Sequence, residues 1–192
     1  MVHTEADDAD AVDVGAGVRP AAHPRDPSGD AVLVARARAG DRHAMTELYR
    51  RYSRMIHGIL LARVAAPEAD DLVQEVFVHA IGRLGSLREP AAFGGWLAMV
   101  ARNKAVDHHR RAKKGERLED EHAAPGASAT KRLRAKEALE AIRRLPEAYR
   151  EVLVLRLVEG MTGPEIAART GLTPESVRVN LCRGMKMLRE LL

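Results

Sequence analysis

The sequence predicts an all-α protein built from two small helical domains joined by a flexible linker. Ala, Leu, Arg and Glu, which favour helices, dominate its 192 residues. Aromatic residues make up only 3% of the chain, and the β-branched runs typical of strands are scarce. Apolar residues recur at intervals of three and four along several segments, which is the spacing of one helix face. Together these observations favour helices throughout.

The N-terminal residues 1–29 differ in composition from the rest of the chain. They are rich in Ala, Asp, Gly and Pro, lack a periodic apolar face, and carry six acids against two arginines. We therefore expect a disordered acidic tail. The tail carries −4 of a net charge of +4, so the other residues carry +8, which suits a polyanionic partner.

Targeting signals and cysteine usage both favour a cytoplasmic protein. The acidic N-terminus lacks the apolar core of a signal peptide, and no stretch is long enough to span a membrane, so we expect no membrane insertion. The single cysteine, Cys182, excludes an internal disulfide and fits a reducing compartment. Because its neighbours are apolar, we expect Cys182 to be packed rather than reactive.

Residues 30–112 are predicted to form the first helical domain. Asp30 is expected to cap a short helix that ends at Gly40, and Asp41 to cap the next one. The apolar stripe of that second helix consists of Met45, Leu48, Tyr49, Tyr52, Ile56, Ile59 and Leu60. Pro67 opens a third helix, in which an acidic and amide cluster beside apolar residues would serve as a docking face.

A loop and a strongly basic helix complete this domain. The segment from Gly85 to Gly95 contains Pro90 and a Gly pair, and is predicted to be a loop. From Arg102 to Arg117 there are seven Lys and Arg residues against two acids. Their mutual repulsion would disfavour a helix, so a phosphate partner is a natural reason for it.

The second domain, residues 133–192, follows an aperiodic linker over residues 113–132. It contains four predicted helices, and the last two read as a helix-turn-helix. Thr162 and Glu165 match a capping box, and Gly171 stands where a left-handed residue would end the helix. Thr173 is expected to cap the following helix. A helical hairpin without DNA remains the alternative for this stretch alone.

Motifs of the common catalytic and metal sites are absent from the sequence. It contains no G-x-x-x-x-G-K, no H-E-x-x-H and no C-x-x-C. Adjacent helical residues point about 100° apart, so His108 and His109 are not expected to share a metal. We therefore expect no enzyme activity, no catalytic residue and no cofactor.

Three segments resemble a bacterial RNA polymerase sigma factor of the sigma-70 family, extracytoplasmic-function (ECF) group. Asp71–Phe77, DLVQEVF, resembles the D-L-x-Q-E-x-F segment of region 2. Trp96–Arg111 resembles its W-L-x-x-x-A-R-N-x-x-x-D-x-x-R-R segment. Leu145-Pro146, Arg150 and the stretch E-I-A…G-L-T-P-E-S-V-R resemble region 4. Three such motifs in order are specific.

The resemblance implies a role for each segment in binding core RNA polymerase, recognising promoters, melting DNA and initiating transcription. The third helix would dock on the β′ clamp helices through Asp71, Leu72, Gln74, Glu75 and Phe77. The basic helix would bind the −10 element through Trp96, Arg102, Asn103, Asp107, Arg110, Arg111 and Lys113. The last helix would read the −35 element through Thr173, Glu175, Ser176, Arg178, Val179, Asn180 and Arg183.

The resemblance also implies further partners, and the sequence differs from the family pattern at three positions of the last helix. The β flap of the polymerase is a second docking partner, and an anti-sigma factor that covers both DNA-binding faces is a regulatory one. Asn180 and Met185 stand where the family often has basic residues, and Cys182 where it often has an aromatic one. These departures imply fewer phosphate contacts or a different −35 preference. The alternative function is a stand-alone helix-turn-helix regulator, which would leave residues 70–111 unexplained.

Overall fold

The computed structural model of the chain describes residues 27–113 and 129–192. The predicted tail up to residue 26 and the linker residues 114–128 lie outside this part. The described residues contain eight α-helices and two short 3₁₀ turns but no β-strand, which confirms the all-α prediction. The helices are α1 Pro27–Arg38, α2 Arg42–Leu61, α3 Ala66–Arg83, α4 Phe93–Lys113, α5 Ala129–Arg144, α6 Glu147–Leu157, α7 Gly163–Thr170 and α8 Pro174–Leu191.

The predicted helix ends are present at most positions. The Asp41 carboxylate accepts hydrogen bonds from the first backbone N–H groups of α2 at 2.8 and 3.2 Å. Thr162 and Glu165 form both halves of the capping box of α7. Gly171 ends α7 with φ +78°, a left-handed conformation that favours glycine, and Thr173 caps α8.

Three predicted boundaries are wrong. Helix α1 begins at Pro27, so Asp30 lies inside the helix rather than capping it. Its buried carboxylate accepts hydrogen bonds from the Tyr52 hydroxyl and from Arg51. Helix α5 begins at Ala129, inside the stretch predicted as linker. The apolar periodicity starts only at Leu133, so it does not mark the first turn of this helix.

The third wrong boundary is the start of α4 at Phe93, inside the predicted loop. Gly94 and Gly95 belong to the first turn of this helix. A Cβ atom on Gly94 would lie 2.8 Å from the Tyr52 ring and 3.1 Å from the carbonyl oxygen of Arg169. Gly94 therefore permits close packing inside a helix instead of marking a turn.

Helices α1–α4 and α5–α8 form two groups that pack against each other over one continuous core. Helix α2 lies at the centre of the first group, and its Met55, Ile56 and Ile59 are fully buried. Helix α6 is the corresponding helix of the second group and packs against α2. The groups also meet at Arg143 of α5, which donates hydrogen bonds to the carbonyl oxygens of Leu61 and Val64 at the end of α2.

Candidate functional site

The predicted docking face lies on the outer side of α3. Asp71, Gln74 and Glu75 are exposed there at positions separated by three and four residues, so they share one face. Leu72 and Phe77 are buried, with 2% and 7% of their surface exposed, and belong to the core that holds α3 in place. These two residues orient the face from beneath, and their direct contact with the polymerase stays a prediction.

Exposed apolar side chains extend this face. Val78 follows Glu75 on the same side of α3 and is 72% exposed. Ile81, 48% exposed, lines an apolar groove together with Tyr49 and Phe77. A solvent-exposed apolar surface bordered by acids is typical of a protein-binding site.

Glu75 connects the docking helix to the basic helix. Its carboxylate lies 3.1 Å from Nζ of Lys104 and 4.0 Å from Nη2 of Arg111 on α4. The positive charges of Lys104 and Arg111 are therefore compensated within the protein by Glu75. The side chain predicted to meet polymerase thus also stabilises the helix predicted to meet DNA.

The predicted −10 residues of α4 differ in how far they are exposed to solvent. Asn103, Asp107, Arg110 and Arg111 are exposed along its second half, whereas Trp96 is half-buried near its start. Asp107 lies 3.9 Å from Arg110, a surface pair that contributes little to stability. Lys113 is the last residue of α4, and its side chain lies outside the described part.

Arg102 differs from the other predicted −10 residues because its guanidinium is already engaged. Its Nε and Nη2 donate to the two carboxylate oxygens of Glu151, at 3.0 and 2.7 Å. Glu151 belongs to α6, in the second group of helices, and only 5% of its surface is exposed. A two-bond pairing between guanidinium and carboxylate is among the strongest polar contacts in proteins.

The N-terminal half of α8 is largely open to solvent. Thr173 uses its hydroxyl to cap the helix, accepting from the Ser176 backbone N–H at 3.1 Å. Glu175 and Arg178 form an exposed pair at 3.0 Å. Arg183 is exposed, whereas Val179 and Asn180 are half-buried. Cys182 is exposed, which corrects the prediction that it is packed: it lies away from the buried Val177 and Leu188.

Sequence reasoning missed a stripe of α6 that faces the first group of helices. Residues 147, 151 and 155 are spaced by four, so they follow one side of the helix, and residue 159 lies two residues beyond its end at Leu157. We call Glu147, Glu151, Leu155 and Glu159 the α6 stripe. Its three acids were the available signal, since they recur at intervals of four and eight residues in a segment rich in apolar side chains.

Each residue of the α6 stripe contacts the first group. Arg63 lies 3.0 Å from Glu147 and 2.9 Å from Glu151. Nδ1 of His57 donates to Glu159 at 2.7 Å, and Arg54 donates to the Glu159 carbonyl oxygen. The remaining member, Leu155, packs against Gly58 of α2.

The charges of this contact shift the titration of its members. Burial by itself would raise the pKa of the Glu151 carboxyl, but the hydrogen bonds of Arg102 and the charges of Arg102 and Arg63 lower it below 4.5. The hydrogen bond to Glu159 raises the pKa of His57 above 6.5, against the effect of burial. Both shifts favour the charged forms that attract each other across the contact.

Two family models match the chain in the order of these surfaces. A model described as Sigma-70 region 2 matches residues 48–115, and a model described as Sigma-70, region 4 matches residues 135–188. Together they cover more than half of the chain. The chain belongs to the sigma-70 family of RNA polymerase sigma factors. As a sigma factor it binds core RNA polymerase and directs promoter recognition and the initiation of transcription.

Curated relatives place this sigma factor in the ECF group. ECF RNA polymerase sigma factor SigM of Mycobacterium tuberculosis is 32% identical over 165 residues, which span 85% of this chain and 84% of SigM. The RNA polymerase sigma-H factor of Pseudomonas aeruginosa is 32% identical over 176 residues, 83% of this chain and 91% of that protein. ECF RNA polymerase sigma factor BldN of Streptomyces coelicolor is 31% identical over 170 residues, but these span only 64% of BldN.

Solved structures of sigma factors share the fold. CnrH, in complex with the cytosolic domain of CnrY, is 27% identical, with a TM-score of 0.60 over 85% of this chain and 96% of CnrH. RpoE of Bartonella quintana, in complex with the anti-sigma factor NepR, has a TM-score of 0.52 at 18% identity, over 76% of this chain and 94% of RpoE. The second similarity concerns the fold alone. Among the described helices of this sigma factor, none has the length and apolarity that crossing a bilayer would require.

Proposed function

We propose that this ECF sigma factor divides its work among α3, α4 and α8: polymerase docking, −10 binding and −35 binding. Residues 30–112 act as the region 2 domain and residues 133–192 as the region 4 domain. The observation that carries the proposal is the succession of three exposed surfaces along the chain, one acidic and apolar, one basic, and one on the second helix of a helix-turn-helix.

The outer face of α3 docks on the β′ clamp helices. Asp71, Gln74 and Glu75 supply polar contacts, and the adjacent Val78 supplies an apolar one. This combination of a buried apolar contact with a polar rim suits a stable protein interface. The β flap is proposed as a second contact of the polymerase with the region 4 domain.

The basic helix α4 and the loop before it bind the −10 element and hold the non-template strand after melting. Asn103, Arg110 and Arg111 are accessible along α4. Single-stranded DNA needs a positive surface that follows its backbone and side chains against which bases stack. Trp96 is the aromatic residue available for stacking at the start of this helix.

Helix α8 enters the major groove of the −35 element. The turn before it ends at a cap on Thr173, and Thr173, Glu175 and Arg178 at the start of α8 are exposed to solvent, as reading a groove requires. Arg178 and Arg183 are its exposed cations in this half. Asn180 is half-buried and has an amide that is able to read a base edge.

We further propose that this protein acts in the cytoplasm, without a cofactor and without chemistry of its own, because the polymerase core carries out catalysis. An anti-sigma factor is a proposed partner. RpoE, a sigma factor of similar fold, was crystallised with one. In this chain such a partner would cover the DNA-binding surfaces on α4 and α8.

Run-off transcription with purified core polymerase tests the function. We expect transcripts only when both the chain and core are present, and co-elution of the two in gel filtration. A stand-alone helix-turn-helix regulator would instead bind a duplex promoter fragment tightly by itself and never co-elute with core, and this outcome would contradict the proposal.

A further inference from the structure

The segment that joins α3 to α4 consists of residues 84–92, and we call it the α3–α4 loop. It contains the two short 3₁₀ turns. The side chains of Leu84 and Leu87 are buried in the core, whereas those of Arg88 and Glu89 are exposed. The loop is thus anchored at two points and presents charged side chains to solvent, directly before the helix proposed to bind the −10 element.

Arg38, the last residue of α1, holds the first half of this loop by its backbone. Its Nε donates a hydrogen bond to the carbonyl oxygen of Leu84 at 3.1 Å, and its Nη2 donates to the carbonyl oxygen of Leu87. A guanidinium is planar, so two donors on one of its edges fix the distance between the two acceptors. Arg38 therefore sets the position of the backbone on both sides of Gly85 and Ser86.

A second connection from α1 reaches the far end of the loop. The Tyr52 hydroxyl on α2 donates to the buried carboxylate of Asp30 in α1. The Tyr52 ring packs edge-on against Phe93, with ring centroids 5.2 Å apart, and the Phe93 centroid lies 6.0 Å from that of Trp96. Phe93 is the first residue of α4. Helix α1 therefore contributes to both ends of the loop, directly through Arg38 and indirectly through Tyr52.

Helix α1 has an apolar face that attaches it to the core independently of Arg38. Three side chains of this face are buried: Leu33, Val34 and Ala37. Arg36, in the same last turn, donates from its Nε to the carboxylate of Asp41 at 2.8 Å, just beyond the helix. Of the two arginines in this turn, Arg36 thus bonds the connection to α2 and Arg38 bonds the α3–α4 loop.

The match to the sigma-70 family gives Arg38 no role. The region 2 model covers residues 48–115, and α1 ends before this range. The α3–α4 loop lies inside the range. The arginine that fixes the loop therefore stands outside the part of the chain that the family model describes.

The order of such a loop affects how well it distinguishes between bases. A loop that is ordered before DNA arrives loses less conformational entropy on binding. A mobile loop rearranges to satisfy several bases, so it binds them with similar affinities. Discrimination requires groups that are held within about 0.5 Å of one geometry. The two hydrogen bonds of Arg38 supply this constraint at the backbone.

We propose that Arg38 is a positioning residue for promoter selection: it holds the α3–α4 loop in the geometry that discriminates among the bases of the −10 element. The inference rests on the proposed function, which assigns this loop to the −10 element. Arg38 acts through the backbone of Leu84 and Leu87 and does not itself contact DNA. Its loss therefore lowers selectivity at the −10 element and leaves selectivity at the −35 element, which α8 reads, unchanged.

Transcription from promoter libraries measures the two selectivities separately. Both libraries are built on a genomic promoter that the original holoenzyme transcribes, one randomised at the −10 element and the other at the −35 element, and each template carries a barcode in its transcribed region. For the original chain we expect the preferred base to exceed the others by about tenfold at selective positions. In Arg38→Ala this ratio should fall to about threefold or less within the −10 element and stay within about twofold of the original at the −35 element.

Two further variants separate positioning from a general loss of structure or charge. Arg36→Ala removes the same side chain from the same turn without touching the loop, so it should keep both selectivities. Arg38→Lys keeps the charge and the donors but lacks the planar fork, so its −10 selectivity should be intermediate. Full −10 selectivity in Arg38→Ala, or an equal loss at both elements, would overturn the proposal. If Arg38→Ala does not fold, unchanged selectivity in Arg38→Lys has the same meaning.

A nitroxide label on the loop measures its order independently. A Cβ atom on Gly85 meets nothing within 4 Å, so Gly85→Cys accepts the label, and Cys182→Ser removes the native exposed thiol. The spectral line shape of the labelled chain reports the mobility of the loop. We expect mobility to rise in Arg38→Ala and to stay unchanged in Arg36→Ala. An unchanged line shape in Arg38→Ala would contradict the positioning role.

Failure of this inference is distinguishable from failure of the proposed function. Absence of transcription by the original chain with core contradicts the function, and with it the inference. Selective transcription by the original chain that Arg38→Ala retains in full leaves the function intact and removes only the role of Arg38.

Discussion

The carboxylate of Glu75 on α3 lies 3.1 Å from the ammonium group of Lys104 on α4. Because Glu75 is on the proposed docking face, a substitution there alters two things at once. It removes a contact to polymerase, and it leaves Lys104 beside Arg111 without the carboxylate that both approach. Docking and the integrity of α4 are therefore coupled through one side chain.

We predict that Glu75→Lys weakens binding to core polymerase and also lowers thermal stability, whereas Asp71→Lys weakens binding alone. A misplaced charge on the docking face should lower the affinity by about tenfold, or ~1.4 kcal/mol. Competition with the original chain for core, together with thermal unfolding, measures the two effects. Glu137→Lys on α5 is the charge-matched control, and core affinity unchanged in Asp71→Lys would argue against the proposed face.

Arg183→Ala should weaken binding to the −35 element while leaving core affinity intact. Loss of one phosphate contact lowers the slope of log affinity against log salt concentration by about 0.9. Titration of the polymerase holoenzyme with promoter duplex at several salt concentrations measures this slope. The control is Arg189→Ala in the last turn of α8, which should not change it. Equal effects of the two variants would contradict the assignment of the N-terminal half of α8 to DNA.

Thr162→Ala removes the capping box of α7, and we expect a loss of about 1 kcal/mol in the free energy of unfolding. The Thr162 side chain and backbone N–H both approach the Glu165 carboxylate at 2.7 Å. Urea unfolding at neutral pH measures the loss. Thr46→Ala in α2 is the control, because its hydroxyl bonds only the preceding turn of its own helix.

The capping box also has a predictable dependence on pH. Burial would raise the pKa of Glu165, but hydrogen bonds from Thr162 and the charges of Arg169 and Arg54 lower it below 4.5. The stabilisation is therefore present above this value and is lost as pH falls through the lowered pKa. The difference between the original chain and Thr162→Ala should shrink in acid, and a constant difference would contradict the role of the carboxylate.

The contact of His57 with Glu159 should become weaker as pH rises. Its Nδ1 faces Glu159 at 2.7 Å, its Nε2 faces Asp70 at 3.4 Å, and Arg54 also contacts Glu159. Because the pKa of His57 is raised in the folded chain, its contribution is fully present below about 6.5 and is lost as pH rises through the raised pKa. The free energy of unfolding, measured in urea, should fall over this range in the original chain. This fall should be smaller in His57→Gln and unchanged in the control His79→Gln, whose histidine is exposed.

Local chemistry makes most helix ends predictable from the sequence. Asp41, Thr162 and Thr173 cap helices through bonds to their own first turns, and Gly171 supplies a positive φ. None of these depends on a distant residue. Where a distant residue decides, the sequence misleads: Asp30 reads as a cap but serves as a buried acceptor for Tyr52, and Gly94 reads as a turn but makes room for Tyr52 and Arg169.

The same limit applies to the candidate site. The three segments with family motifs identify α3, α4 and α8, because residue types at fixed spacing suffice for that. Burial of Leu72 and the pairing of Arg102 with Glu151 depend on which helices pack together. Glu151 lies 49 residues from Arg102 in the chain, across the predicted linker, so no local pattern connects the two.

Arg143 completes the last turn of α2 from a position 82 residues later in the sequence than Leu61. During synthesis at 5–20 residues per second, this arginine follows Leu61 out of the ribosome by about 4–16 s. Over that interval the carbonyl oxygens at the end of α2 are left to water. These two carbonyl oxygens therefore gain their arginine donor only after the second group has been made.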